Sequence, residues 1–212
     1  MVIALLGFIG SGKGTVADYL VSTHSFNSDS FAAPLKDACA AIFGWQRDLL
    51  EGDTDISREF RETVDVYWSK KLGITKFTPR LALQLVGTDI MRNNFHRDIW
   101  MNSMEYRLCK QRGNAVISDA RFTNELEMVK QAQGQVLWVR RGELPEWYDL
   151  ARAAKQGDCS AMKQMTETYS NVHRSEWDWA GWNPDHVVYN TGTKEELHRQ
   201  IDQVLEAIRS TT

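Results

Sequence analysis

The chain has 212 residues (24.3 kDa), 42% of them apolar, with 25 basic and 28 acidic residues for a net charge of −3. That is the composition of an ordinary globular protein, one domain or one domain carrying insertions, and it excludes intrinsic disorder. With a pI near 6.0 the chain lacks the basic excess needed to live on a nucleic-acid backbone, so DNA and RNA polymers are poor candidate partners.

Residues 2–6 (VIALL) are a short, wholly apolar run of the kind that becomes a buried parallel strand. A Gly-rich turn follows, and residues 15–20 then read as a helix. Residues 33–43 form a second helix, with Pro34 tolerated in its first turn and Gly44 at its end. From 47 to 112 the pattern is helical, interrupted by Gly52, Gly73 and Pro79, with Leu81, Leu85, Val86 and Ile90 as an apolar stripe. Strands are then expected at 115–118 and 135–139, with a helix at 124–133 between them. Residues 142–185 read as irregular, rich in charge and Trp, with one short helix near 147–154. A last strand at 186–189 precedes a helix that Thr193 and Glu196 open as a capping box. Leu197, Ile201, Val204, Leu205 and Ile208 line the buried face of that helix.

Strands alternating with helices predict an α/β fold: a parallel sheet covered on both faces, with ligands at the carboxyl ends of the strands. The three cysteines (Cys39, Cys109 and Cys159) are too widely spaced for a disulfide framework or a zinc site. The N-terminal run lacks the pattern of a signal peptide, and no apolar stretch approaches the roughly 20 residues of a bilayer span. A cytoplasmic protein with no membrane partner is therefore expected. Eight Trp among 212 residues is a surplus that calls for packing or stacking partners.

Gly7-Phe8-Ile9-Gly10-Ser11-Gly12-Lys13-Gly14-Thr15 fits G-x4-G-K, directly after a strand and before a helix. Glycines there let backbone N–H groups turn inward around a phosphate, the helix N-terminus adds its positive end, and Lys13 supplies a mobile charge. Gly10, Ser11, Gly12, Lys13, Gly14 and Thr15 are thus the expected phosphate cradle. The hydroxyl comes one position later than usual, at Thr15. Asp119 ends an apolar strand where such proteins place a carboxylate near magnesium; the competing reading is a helix cap or a pair with Arg121. Arg140 and Arg141 end the next strand, where guanidinium groups suit a transferring phosphoryl group, though a bare Arg pair also makes a solvated sheet edge.

The GSGKGT form resembles that of nucleoside monophosphate kinases. More specifically, four segments resemble the bacteriophage-type deoxynucleoside monophosphate kinases: residues 7–18; 33–38 (APLKDA); 80–100 (RLALQLVGTDIMRNNFHRDIW); and 118–141, ending in VLWVRR. His173-Arg174-Ser175-Glu176 and Asn190-Thr191-Gly192 give a weaker echo. Residues 44–77 and 142–172 match poorly. The resemblance implies a P-loop NTPase α/β/α core at 1–44, 113–141 and 186–212, a helical acceptor-binding insert at 45–112 and a lid-like segment at 142–185. It implies transfer of the γ-phosphoryl group of ATP to a deoxynucleoside 5′-monophosphate (dNMP), with magnesium carried largely on the nucleotide.

Lys13, Asp119, Arg121 and Arg140 are then the expected catalytic residues, with Arg141 on the nucleotide and Thr15 and Asp119 toward the metal. By the same resemblance the acceptor meets Lys36, Arg80, Gln84, Asp89, Arg92 and Trp100, joined by Arg174 and Glu176. No catalytic base is needed, because the acceptor phosphate is already an anion. A hydroxymethylated pyrimidine nucleotide is one open choice of acceptor, and a homodimer one open choice of assembly. Two other readings compete: a P-loop kinase for another small acceptor, like dephospho-coenzyme A kinase, and a non-catalytic nucleotide-binding module.

Overall fold

The computed structural model describes residues 1–211. The elements run β1 (Val2–Leu6), α1 (Lys13–His24), β2 (Phe26–Asp29), α2 (Ala33–Phe43), a 3-10 turn (Arg47–Leu50), α3 (Asp55–Glu62), α4 (Val66–Leu72), α5 (Pro79–Gln84), a π-helix (Leu85–Phe95) and α6 (Ile99–Lys110). They continue with β3 (Asn114–Ile117), α7 (Thr123–Gln131), β4 (Gln135–Arg140), α8 (Tyr148–Lys155), α9 (Cys159–Glu167), α10 (Arg174–Trp177), β5 (His186–Tyr189) and α11 (Lys194–Thr211). The chain divides into two compact units, one of residues 1–30 and 108–212 and one of residues 31–107.

The first unit is built on a five-stranded sheet in the order β2-β3-β1-β4-β5, with every adjacent pair parallel. Side chains alternate across it. Ile3, Leu5, Val116, Leu137, Val139 and Val188 face one way and pack with Val16 and Leu20 of α1 and Leu197, Ile201 and Leu205 of α11. Their neighbours Ala4, Leu6, Ile117, Val136 and Trp138 are buried too, and α7 lies against β1 and β4 through the fully buried Leu126 and Val129. The result is the three-layer P-loop NTPase α/β/α fold.

The predicted capping box closes α11: the Thr193 amide donates to Glu196 at 3.0 Å and the Glu196 amide to the Thr193 hydroxyl at 3.2 Å. Strand β2 escapes the sequence pattern because its four residues, FNSD, bury only Phe26. Residues 142–185 hold three helices, not one. Helix α9 begins where Asp158 accepts from the Ser160 and Ala161 amides, and its buried face is only Ala161 and Met165. A stripe that small gives little periodic signal.

The second unit is all helical. Its core is aromatic: Phe43 stacks on Trp45 (4.6 Å between centroids) and meets Trp68 edge-on at 5.2 Å and Phe77 at 5.4 Å. Trp45 donates to the Asp65 carboxylate at 2.8 Å and Trp68 to the Phe43 carbonyl at 3.0 Å, so both half-buried indoles have their N–H groups satisfied. Helix α2, assigned on sequence to the sheet core, belongs to this unit.

One expectation fails for a geometric reason. From Leu85 the backbone winds with i→i+5 bonds, closing with the His96 amide on the Met91 carbonyl at 2.8 Å. The wider turn breaks the 3.6-residue period, and Ile90, expected in the apolar stripe, is exposed.

Candidate active site

Between β1 and α1 the chain turns through residues 7–12. Gly12, at φ +101°, is the N-cap of α1, and a Cβ there would stand 2.3 Å from the Asn190 side-chain nitrogen. Gly7, at φ +148°, would put a Cβ 2.5 Å from the Val139 carbonyl oxygen. Only glycine lets the loop lie this close to the ends of β4 and β5. Asn190 secures the contact: its side chain donates to the Ser11 carbonyl at 2.9 Å and its amide to the Arg140 carbonyl at 2.7 Å. On sequence it figured only in a weak echo, since nothing local marks a residue 179 positions away as a loop clamp.

No side chain caps α1, so its first-turn N–H groups remain available to an anion. Helix α7, also at the carboxyl edge of the sheet, differs. Glu125 accepts from the Arg121 and Phe122 amides at 2.8 and 3.1 Å, and Asp178 accepts from the Thr123 amide at 3.0 Å. That terminus is already occupied by carboxylates.

The Lys13 ammonium lies 2.6 Å from the Gly7 carbonyl and 3.0 Å from that of Phe8. Burial lowers its pKa from 10.5 to about 8, the charge of Arg121 adds to the shift, and Glu176 opposes it. Arg121 in turn donates to Glu176 at 2.6 Å. Lys13, Arg121 and Glu176, expected at the site from separate segments, are thus electrostatic neighbours. Ser11 turns its hydroxyl inward, 3% exposed, and its amide donates to the Phe8 carbonyl at 3.2 Å. It shapes the loop and offers no side-chain contact outward.

Thr15 in the first turn of α1 and Asp119 after β3 are both half-buried. Among the described residues no group of three or more His, Cys, Asp or Glu could hold a metal ion. Thr15 and Asp119 each offer an oxygen of the kind that magnesium takes, an ion that keeps several waters and is shared with nucleotide phosphates.

The two arginines at the end of β4 separate. Arg140 stacks its guanidinium on Trp138 (4.9 Å) and Tyr189 (5.6 Å), whereas Arg141 reaches the Gly10 carbonyl at 3.2 Å. Arg174 turns to Asp178 at 2.9 Å and lies over Trp177; Glu176, not Arg174, meets Arg121.

In the helical unit an open cavity of about 290 Å³ is lined by Ala32, Leu35, Lys36, Arg61, Arg80, Leu83 and Gln84. Three residues expected to meet the acceptor, Lys36, Arg80 and Gln84, therefore share one concavity. Arg61 completes a trio of cations there and was missed on sequence, because α3 looks like a solvated charged helix. Lys36 is paired with Glu51, and Arg80 with Glu62; Arg61 donates to the Glu51 carbonyl at 3.2 Å. Trp100 is 8% exposed and donates to the Gly87 carbonyl at 2.9 Å, so it braces the π-helix. Asp89 and Arg92 lie on the π-helix outside the cavity lining.

A family model for deoxynucleotide monophosphate kinase matches residues 47–157, about half of the chain. A protein of Acanthamoeba polyphaga mimivirus described as a deoxynucleotide monophosphate kinase is 36% identical, the match covering 66% of this chain and 74% of that protein.

The chain belongs to the deoxynucleotide monophosphate kinase family.

A second relative, the deoxynucleoside-5′-monophosphate kinase of Escherichia phage T5, is 26% identical over 62% of this chain and 72% of its own length. Among solved structures, a dephospho-CoA kinase from Campylobacter jejuni aligns over 98% of this chain and 96% of its own at 16% identity and a TM-score of 0.45. As a member of this kinase family the protein is a phosphotransferase. The matched span includes residues 47–77, which carry little of the motif resemblance. No helix of the described residues is long and apolar enough to cross a membrane.

Proposed function

We propose that the protein transfers the γ-phosphoryl group of ATP to deoxynucleoside 5′-monophosphates, supplying the diphosphates for viral DNA synthesis. Residues 10–15 and Arg141 bind the donor phosphates, and Lys13 and Arg121 stabilise the transferring group, with Arg140 beside them. Thr15 and Asp119 would hold the magnesium that accompanies ATP, whose charge helps to neutralise the phosphates. The acceptor is bound by the cavity of the helical unit. Its 5′-phosphate is recognised by Lys36, Arg61 and Arg80; its sugar and base lie on Leu35 and Leu83, with Gln84 as the polar contact.

The observation that carries this reading is the convergence of three cations and one amide on a single nucleotide-sized concavity. Binding of this kind positions two anions against their repulsion, and positioning with charge neutralisation suffices for the rate. Both relatives named above are viral, which supports a role in DNA precursor supply and keeps a hydroxymethylated pyrimidine nucleotide among the acceptors to test.

The experiment is a panel. Protein, ATP and magnesium are mixed with each natural dNMP and with hydroxymethyl-dCMP and hydroxymethyl-dUMP, and ADP and the nucleoside diphosphate are measured. Turnover with at least one is expected; no turnover with any would overturn the reading.

A further inference from the structure

The second residue of the phosphate loop is Phe8, and its ring does not face solvent freely. It stands edge-on to Trp147 at 5.5 Å and to Tyr148 at 6.0 Å, and tilted against Trp179 at 4.8 Å between centroids. Trp147 and Tyr148 open α8, Trp179 follows α10, and Tyr148 and Trp179 are 6% and 2% exposed. Trp138 of β4 extends the cluster, 5.4 Å from Trp179 and stacked on Tyr148 at 6.0 Å. One ring of the loop is thus held by aromatic residues from both ends of the segment 142–185.

The backbone of the same residue faces the chemistry. The Phe8 carbonyl accepts from the Lys13 ammonium at 3.0 Å and from the Ser11 amide at 3.2 Å. Whatever fixes the Phe8 ring also fixes the carbonyl that holds Lys13 and the turn that presents the Gly10–Gly12 backbone. Aromatic edge-to-face contacts are directional, so this cluster sets an orientation as well as burying area.

We infer that Phe8 is a positioning residue for phosphoryl transfer, through which the aromatic residues of segment 142–185 fix the path of the phosphate loop and the waiting position of Lys13. The inference rests on the kinase reading but is separable from it. Phe8 itself need not touch the nucleotide. Its effect is carried by the loop backbone, and displacement of catalytic groups by an ångström can cost on the order of a hundredfold in rate.

The test uses the full chain with Phe8→Leu, which keeps apolar volume but loses the ring, and Trp147→Leu, which removes a half-buried partner outside the loop. Steady-state kinetics with Mg-ATP and the best dNMP are run beside circular dichroism and thermal melting. We expect kcat/KM for ATP to fall roughly tenfold or more in both variants, with KM for the dNMP unchanged. Trp147→Phe, which restores a ring, should recover most of the loss. Folded variants with unchanged KM for ATP and unchanged kcat would overturn the inference and leave the cluster as packing alone. A fall in melting temperature with unaltered kinetic constants would overturn it equally. If neither Leu variant folds, Phe8→Met and Trp147→Met, which keep more apolar volume but also lack the ring, decide: an ATP-specific kinetic change in either supports the inference, and none in both overturns it. Wild-type protein that turned over no ATP would instead remove the kinase reading.

Discussion

Arg121 Nη1 stands 2.6 Å from the Glu176 carboxylate, and both charges act on the Lys13 ammonium. The pair joins the turn after β3 to helix α10, elements 55 residues apart in the chain. It places one cation beside the loop lysine while supplying the carboxylate that keeps two like charges tolerable there. In the proposed reaction a bound phosphate would take over that role and leave Arg121 to the transferring group. Arg121→Ala should therefore lower kcat by about 10²–10³-fold, the usual cost of losing one donor to developing charge, with KM for the dNMP nearly unchanged. Steady-state kinetics decide: a raised KM at constant kcat would assign Arg121 to ground-state binding.

Lys13 carries a pH signature. Its folded-state pKa of about 8 lies below the ordinary 10.5 because the ammonium is buried beside Arg121. Between those values the unfolded chain binds the extra proton, so this residue makes stability rise with pH across the window. Its contribution to nucleotide binding runs the other way, since the neutral amine has no charge for a phosphate. ATP affinity should decline as pH passes 8 and upward, and binding near pH 9 should take up a proton. Calorimetry in two buffers of different ionisation enthalpy measures that uptake. Lys13→Ala should abolish turnover without lowering the melting temperature.

The acceptor cavity makes a prediction that is blind to the base. Lys36, Arg61 and Arg80 all reach one concavity, and a hydrogen bond to a charged group contributes about 1.5–3 kcal/mol. Arg61→Ala or Arg80→Ala should raise KM roughly 10- to 100-fold for every accepted dNMP alike, leaving KM for ATP unchanged. Gln84→Ala should instead alter the ranking among bases. An Arg61→Ala enzyme with ordinary dNMP kinetics would remove Arg61 from the site.

Gly87 is a packing requirement. A Cβ there would lie 2.6 Å from Leu35 Cδ2, and Leu35 both anchors α2 and lines the cavity. Gly87→Ala should destabilise the protein by about 1–3 kcal/mol through overpacking and raise KM for the dNMP as Leu35 shifts. Denaturant unfolding and kinetics on the same preparation test the two effects together.

Asp178 tests the base of the 142–185 segment. It is 5% exposed; burial works against its charge, but the Thr123 amide, Arg174 and Lys155 hold its pKa below the ordinary carboxylate range. A lowered folded-state pKa means stability present above the unfolded value and lost as pH falls through the folded one. Asp178→Asn leaves the solvent-reached Arg174 and Lys155 without their carboxylate and should cost about 1–2 kcal/mol, while flattening the acid limb of the stability curve. Urea midpoints from pH 3 to 7 provide the comparison.

Local and periodic features are legible along the chain before it folds. The apolar run 2–6, the G-x4-G-K turn and the capped helix after Thr193 each carry their signal within a few residues, and together they specify a parallel sheet with a phosphate loop at the end of β1. Arg80 and Gln84 stand out through the family resemblance, and their four-residue spacing, about one helical turn, puts them on one helix face. Only the tertiary structure brought Arg61 into the cavity, set Asn190 against Gly12, chose Arg141 over Arg140 for the loop carbonyl, and wound Leu85–Phe95 with a wider turn. Each of these depends on contacts between segments distant in the chain, and no local pattern encodes them. The Trp surplus divides the same way: the count is in the sequence, while its use to build an aromatic helical core and to hold the ring of Phe8 is a property of the folded chain.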